Sequence, residues 1–161
     1  MPHLRFDLNF AASPEEKSRF AAAVVRNFAS IMDTGTDHIA VALQCREPGD
    51  LVFGRSAAGG GRTVLLDADI RLGRSRDQKR RLALAIVSEV QGTWGVAPEG
   101  VYVVYTEHDG ENFQLSDRVL PSWSEGEDPL ADRPRRPRRP AAARRRQARS
   151  GRGAGRRRGR R

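Results

Sequence analysis

Behind Met1-Pro2 the chain alternates as His3-Leu4-Arg5-Phe6-Asp7-Leu8, with an apolar residue at every second position. That period marks a half-buried strand over about residues 3–9. Ser13-Pro14-Glu15-Glu16 then has the marks of a helix start: an N-cap serine, proline at the first helical position and a glutamate that closes a capping box. Phe20, Val24, Phe28 and Ile31 recur at helical spacing, so a helix is predicted over 14–32, ending near Asp33-Thr34-Gly35. His38-Ile39-Ala40-Val41-Ala42-Leu43 follows as a second strand within 38–45.

The same order returns downstream. Thr63 to Ile70 is a strand candidate, Ser75 with Gln78 forms a second capping box, and Leu82, Ile86 and Val90 line one helix face. A break from Gly92 to Gly95, with Pro98 beyond it, precedes the strand Val101-Tyr102-Val103-Val104-Tyr105. Ser13 to Ile39 and Ser75 to Val101 are both steps of 26, and the offset between the halves, 75 − 13 = 62, also carries Asp7 onto Asp69. The two units, about 2–45 and 63–107, read as an internal duplication.

Each unit is a strand–helix–strand crossover, so its strands should run parallel with a right-handed connection. Two units sharing one sheet give an α/β (α+β) fold: four strands in a mixed sheet, with both helices on one face. The other face then needs cover, which argues for an oligomer. If a pseudo-twofold axis relates the units, the first and third strands are antiparallel. Pro2 then lies at the same end of the sheet as Arg71, and Arg71-Leu72-Gly73-Arg74-Ser75 is the place to look for its partners.

Charge divides the chain. Fifteen arginines follow Asp132 and no acid does, so residues 1–132 carry 29 − 15 = 14 basic groups against 20 acids, a net of −6. The overall charge of +9 therefore belongs to a tail of Arg, Pro, Gly and Ala, without the apolar residues needed to offset chain entropy. The expected organisation is a folded domain over 1–130 and a disordered arginine-rich tail over 131–161. Residues 133–161 could contact nucleic acid or another anionic surface, although no aromatic is interleaved for base stacking. Cys45 is the only cysteine, which fits a reduced cytoplasmic setting and excludes a disulfide framework. No apolar run reaches the roughly 18 residues of a membrane span, and His3, Arg5 and Asp7 interrupt any signal peptide.

Pro2 carries the candidate chemistry. With Met1 removed it is a secondary amine, and α-amino groups titrate near neutrality, at about 7.7–8.0. Neighbouring positive charge lowers that further, making Pro2 a base usable at neutral pH. Proline is also a tolerated second residue anywhere, so the case rests on its partners. Arg71 and Arg74 flank a glycine just ahead of a helix N-terminus, and guanidinium groups grip carboxylates bidentately.

With Met1-Pro2-His3, Thr34-Gly35-Thr36-Asp37-His38, Arg71-Leu72-Gly73-Arg74-Ser75, Gly95-Val96-Ala97-Pro98 and Leu120-Pro121 in this order, the chain resembles the tautomerase superfamily. The likeness is to its fused-repeat members: cis-3-chloroacrylic acid dehalogenase, malonate semialdehyde decarboxylase, 5-carboxymethyl-2-hydroxymuconate isomerase and macrophage migration inhibitory factor. The resemblance covers about 2–130 and implies a homotrimer of fused β-α-β units without a cofactor. It implies Pro2 as the proton carrier at a 2-oxo or 2-hydroxy-enoic acid, with Arg71 and Arg74 binding the carboxylate and stabilising enolate charge. Cofactor-free decarboxylation of a 3-oxo acid such as malonate semialdehyde is the alternative, with Asp37 assisting. A non-catalytic trimer binding nucleic acid through its tails is a rival of another class.

The departures narrow the comparison. Ser30 stands where the dehalogenase pattern has histidine, and Val104 where it has tyrosine, with Tyr105 one place off and on the other face. Gln114 or Leu115 stands where it has a water-activating glutamate, which speaks against haloacrylate hydrolysis. Thr34 replaces the lysine of the cytokine-like members. His3, His38 and His108 lack metal-ligand spacing, and Gly59-Gly60-Gly61 lacks the lysine of a phosphate loop and reads as a flexible hairpin. Asp67 and Asp69, on one strand face, read as solvated acids at a sheet edge rather than as a carboxylate pair, and Phe53, Phe113 and Trp123 as packing at a subunit interface rather than as an apolar pocket wall.

Overall fold

Both predicted capping boxes close, and they fix where the two helices begin. The computed structural model describes residues 2–47, 49–54, 61–115 and 119–126, so Gly59, Gly60 and the arginine-rich tail lie outside the described residues. Ser13 Oγ accepts the Glu16 N–H at 3.1 Å while the Glu16 carboxylate accepts the Ser13 N–H at 2.8 Å. Ser75 and Gln78 repeat the exchange at 3.1 and 2.9 Å. Helix α1 is Pro14–Ile31 and helix α2 is Arg76–Trp94. Each ends at a left-handed residue at equivalent positions, Asp33 (φ 49°) and Gly95 (φ 68°). Aspartate tolerates that conformation better than most side chains, so α1 stops at Asp33 without needing Gly35.

The strands are β1 His3–Leu8, β2 Ala40–Cys45, β3 Val64–Arg71 and β4 Val101–His108. They form one sheet in the order β2-β1-β3-β4, with β1/β2 and β3/β4 parallel and β1/β3 antiparallel. β4 runs three residues past the expected Tyr105, because β3 extends to Arg71 and pairs along its whole length, ending at Arg71 opposite His108.

Register makes the duplication quantitative. His3 pairs with Ala40 and Val64 with Val101, an offset of 37 in both halves. The buried sets match at the offset of 62: Leu4, Phe6 and Leu8 with Leu66, Ala68 and Ile70, and Phe20, Val24, Phe28 and Met32 with Leu82, Ile86, Val90 and Trp94. These residues fill one core between the sheet and the helices, where each large side chain contributes about 1.5–3 kcal/mol by leaving water. The pseudo-twofold axis can be located from residues that meet their own equivalents. Arg5 pairs with Asp67 across β1/β3, and Asn27 donates to Glu89 between the helices at 3.1 Å; both pairs are 62 apart.

The opposite sheet face is polar and carries an ion-pair array. Arg5 Nη2 lies 2.7 Å from Asp67 Oδ2, and Arg46 Nε lies 2.8 Å from the nearly buried Asp7. The hydrogen bond to Asp67 raises the Arg5 pKa above its ordinary value. Asp67 and Asp69 are thus not solvated edge acids: β3 is a central strand, and both carboxylates have cationic or imidazole partners.

A strap, residues 119–126, crosses the end of the sheet where β3 and β4 finish. Trp123 N–H donates to the Leu72 carbonyl at 3.2 Å, Arg71 Nη1 donates to the Pro121 carbonyl at 2.7 Å, and Trp123 Nε1 donates to the Asp33 carbonyl at 3.2 Å. Two glycines make room. A Cβ on Gly73 (φ 113°) would stand 2.4 Å from the Trp123 carbonyl oxygen, and one on Gly110 would stand 2.0 Å from the Pro121 carbonyl carbon. Trp123 therefore packs within its own chain, whatever interface it also joins.

Two outcomes follow from this packing. Arg5→Asp sets like charges across the axis and should lower the melting temperature, while adding Asp67→Arg should recover most of the loss; a double variant no better than the single one would separate the pair from stability. Gly73→Ala must displace the strap or strain a left-handed backbone, at about 1–3 kcal/mol in denaturant unfolding.

Candidate functional site

Pro2 sits at the strand end where both units present their loops. Its carbonyl accepts the Ala40 N–H at 3.0 Å, which ties it to the start of β2. On the other side His3 pairs with Asp69, so Pro2 is one step from the end of β3 at Ile70-Arg71. The antiparallel β1/β3 pairing thus places Pro2, Arg71 and the loop to Arg74 at one end of the sheet. Asp37 is at the same end, exposed in the turn that leads into β2, with its Oδ1 accepting from Thr36 Oγ1 at 3.4 Å.

The two arginines are not bare. Each is only 7% exposed. Arg71 is held by the Pro121 carbonyl, and the Arg74 guanidinium lies over the Trp123 ring, 4.3 Å from its centroid. Sequence patterning missed this cover, because the strap carries no helix or strand period. The signal that existed was the glycine between the two arginines, which leaves room for the Trp123 backbone.

Other side chains distinguish the two faces. Tyr105 points into the helix layer, donates its hydroxyl to the Lys79 carbonyl at 2.8 Å and has its phenol pKa pushed up by burial. It is therefore turned away from the open face, as its one-residue displacement from Val104 implied. Lys79 Nζ is paired with Glu107 at 2.8 Å. Among the described residues, no three of His, Cys, Asp or Glu converge to hold a metal ion, and no helix is long and apolar enough to cross a membrane.

On the open face, His3, Asp69 and His108 come together at the Pro2 end. His108 Nε2 is 2.8 Å from Asp69 Oδ1, and His3 Nδ1 is 3.7 Å from Asp69 Oδ2. With Asn112 and Phe113 they line an open cleft of about 490 Å³. Spacing along the sequence did not bring these residues together, since the contact depends on the register of three strands.

Comparison with known proteins agrees with this geometry. Residues 41–116, which include Arg71 and Arg74, match the family model described as tautomerase enzyme. The solved structure of N1, a member of the cis-3-chloroacrylic acid dehalogenase family, is 26% identical with a TM-score of 0.68, covering 81% of this chain and 92% of that one. FG41 malonate semialdehyde decarboxylase, solved with 3-bromopropiolate as inhibitor, is 21% identical at a TM-score of 0.62, covering 71% and 88%. The fused 4-OT named Q0, a symmetric trimer, is 18% identical at 0.65, covering 73% and 94%. No curated protein matches the sequence. The family-model match, the two fused β-α-β units and these structural neighbours agree, and the chain is similar to the tautomerase superfamily in sequence over residues 41–116 and in fold.

Proposed function

We propose that this protein is a cofactor-independent tautomerase that moves a proton between carbon and oxygen of a small 2-oxo or 2-hydroxy-enoic acid. Pro2, freed by removal of Met1, is the base, and Arg71 and Arg74 bind the carboxylate. The observation that carries this reading is the β1/β3 register, which sets the start of β1 beside Arg71. Two guanidiniums near a secondary amine favour its neutral form. Their burial beneath the strap strengthens their hold on an anion by excluding water. Developing enolate charge then meets donors already in place.

The same proposal includes a homotrimer in a cytoplasmic setting, with the domain ending near residue 130. The polar sheet face and the exposed Tyr102 and Val52 at the free β4 side support a covering partner. A second reading, decarboxylation of a 3-oxo acid with Asp37 assisting, is favoured by Asp37 lying in the turn whose following strand is bonded to Pro2.

Keto–enol conversion of phenylpyruvate, set beside carbon dioxide release from malonate semialdehyde, separates the two. The tautomerase reading expects turnover of the first, at least 10²-fold lower in Pro2→Gly, and an intact mass lacking Met1. Arg71→Ala and Arg74→Ala should each raise KM and lower kcat. A retained Met1, or a Pro2→Gly variant as active as the wild type, would contradict it. Truncation after Leu130 should leave turnover unchanged. Salt-sensitive retention of DNA or RNA by the full chain, without any turnover, would favour the nucleic-acid rival instead.

A further inference from the structure

We propose that His108, oriented by Asp69, is a second proton carrier of the Pro2 site and therefore a catalytic residue, with Asp69 and His3 in positioning roles. This rests on the tautomerase reading above. A keto–enol conversion handles a proton at two atoms, one carbon and one oxygen, and Pro2 with the two arginines provides for the carbon and the carboxylate only. The arginines can stabilise charge on the oxygen, but a guanidinium stays protonated, so the oxygen's proton has no assigned carrier.

Register supplies the candidate. β3 pairing sets Asp69 opposite His3 and Arg71 opposite His108, and odd-numbered β3 residues face away from the helices. Asp69, Arg71, His3 and His108 therefore share one face at the Pro2 end. Asp69 Oδ1 lies 2.8 Å from His108 Nε2, so the carboxylate takes the Nε2–H and leaves Nδ1 to exchange a proton. The ring is steadied edge-on against Phe113, centroids 5.7 Å apart at 78°. A base held by hydrogen bond to an orienting carboxylate, beside a cleft sized for a small acid, is the arrangement expected of a proton-transfer group.

The step balances. In ketonisation of a 2-hydroxy-enoic acid, His108 Nδ1 takes the enol O–H proton and the O–H electron pair forms the C2 carbonyl. The C2=C3 pair takes a proton from the Pro2 ammonium at C3. Pro2 ends neutral and His108 ends as imidazolium against Asp69, and one proton returned from His108 to Pro2 through solvent resets the site. The groups facing His108 are Asp69 and Arg71 from β3, His3 from β1, and Asn112 and Phe113 from the turn after β4.

The test is ketonisation of enol phenylpyruvate by the full chain across pH. His108→Gln should lower kcat about 10²-fold with KM changed less than about 3-fold, and should remove the acid limb of the kcat/KM profile while the alkaline limb from Pro2 remains. Asp69→Asn should lower kcat about 10-fold in the same sense, and added imidazole should partly restore His108→Ala. A structural ion pair would instead move the melting temperature and leave kcat and the acid limb intact. Wild-type activity that needs Pro2 but is indifferent to His108 and Asp69 overturns this inference alone. A wild-type chain that turns over no enol phenylpyruvate overturns it together with the reading on which it rests.

Discussion

The antiparallel pairing of β1 with β3 is the constraint on which the rest of the molecule depends. It joins two copies of one unit about an axis through Arg5–Asp67, where equivalent positions carry opposite charges and meet at 2.7 Å. A parallel junction would send the β3 end to the far side of the sheet, away from Pro2. The axis also explains why the chain holds one candidate site. At the pseudo-equivalent end, Val64 takes the place of Pro2, Asn9 that of Arg71 and Ala12 that of Arg74. Asn9 bonds Thr63 there, closing the strand end with neutral groups. The duplication supplies the frame, and the two ends of the sheet differ at the three positions where the candidate site carries Pro2, Arg71 and Arg74.

The strap adds a second constraint. Its backbone approaches the loop between Arg71 and Arg74 so closely that only glycine fits at position 73. One guanidinium is thereby fixed by a carbonyl and the other by an indole face. Both guanidiniums are thus buried at one end of the sheet, in a chain whose residues 1–132 sum to −6.

Much of the frame was legible in the sequence because it is written in local patterns. Two capping boxes, two helical stripes and a shared spacing gave the element order, the repeat and the sheet direction that brings Pro2 to Arg71. The resemblance to tautomerases rests on the same residues. What was not legible depends on contacts between distant segments. β4 is longer than its apolar run because β3 extends its ladder to His108. Asp67 and Asp69 read as solvated acids until cross-strand pairing gave them Arg5, His3 and His108. The strap has no periodicity, so its cover over both arginines could be inferred only after folding.

The central claim concerns the electrostatic setting of one nitrogen, and titrating that nitrogen tests it most directly. With [15N]proline labelling, the Pro2 resonance should titrate at a lower pH in the protein than in a free Pro-His-Leu-Arg-Phe peptide, because Arg71 and Arg74 disfavour its protonated form. Arg71→Ala should move the titration back toward the peptide. A Pro2 nitrogen that titrates with the peptide, or one that does not titrate because it remains an amide behind Met1, would contradict the account.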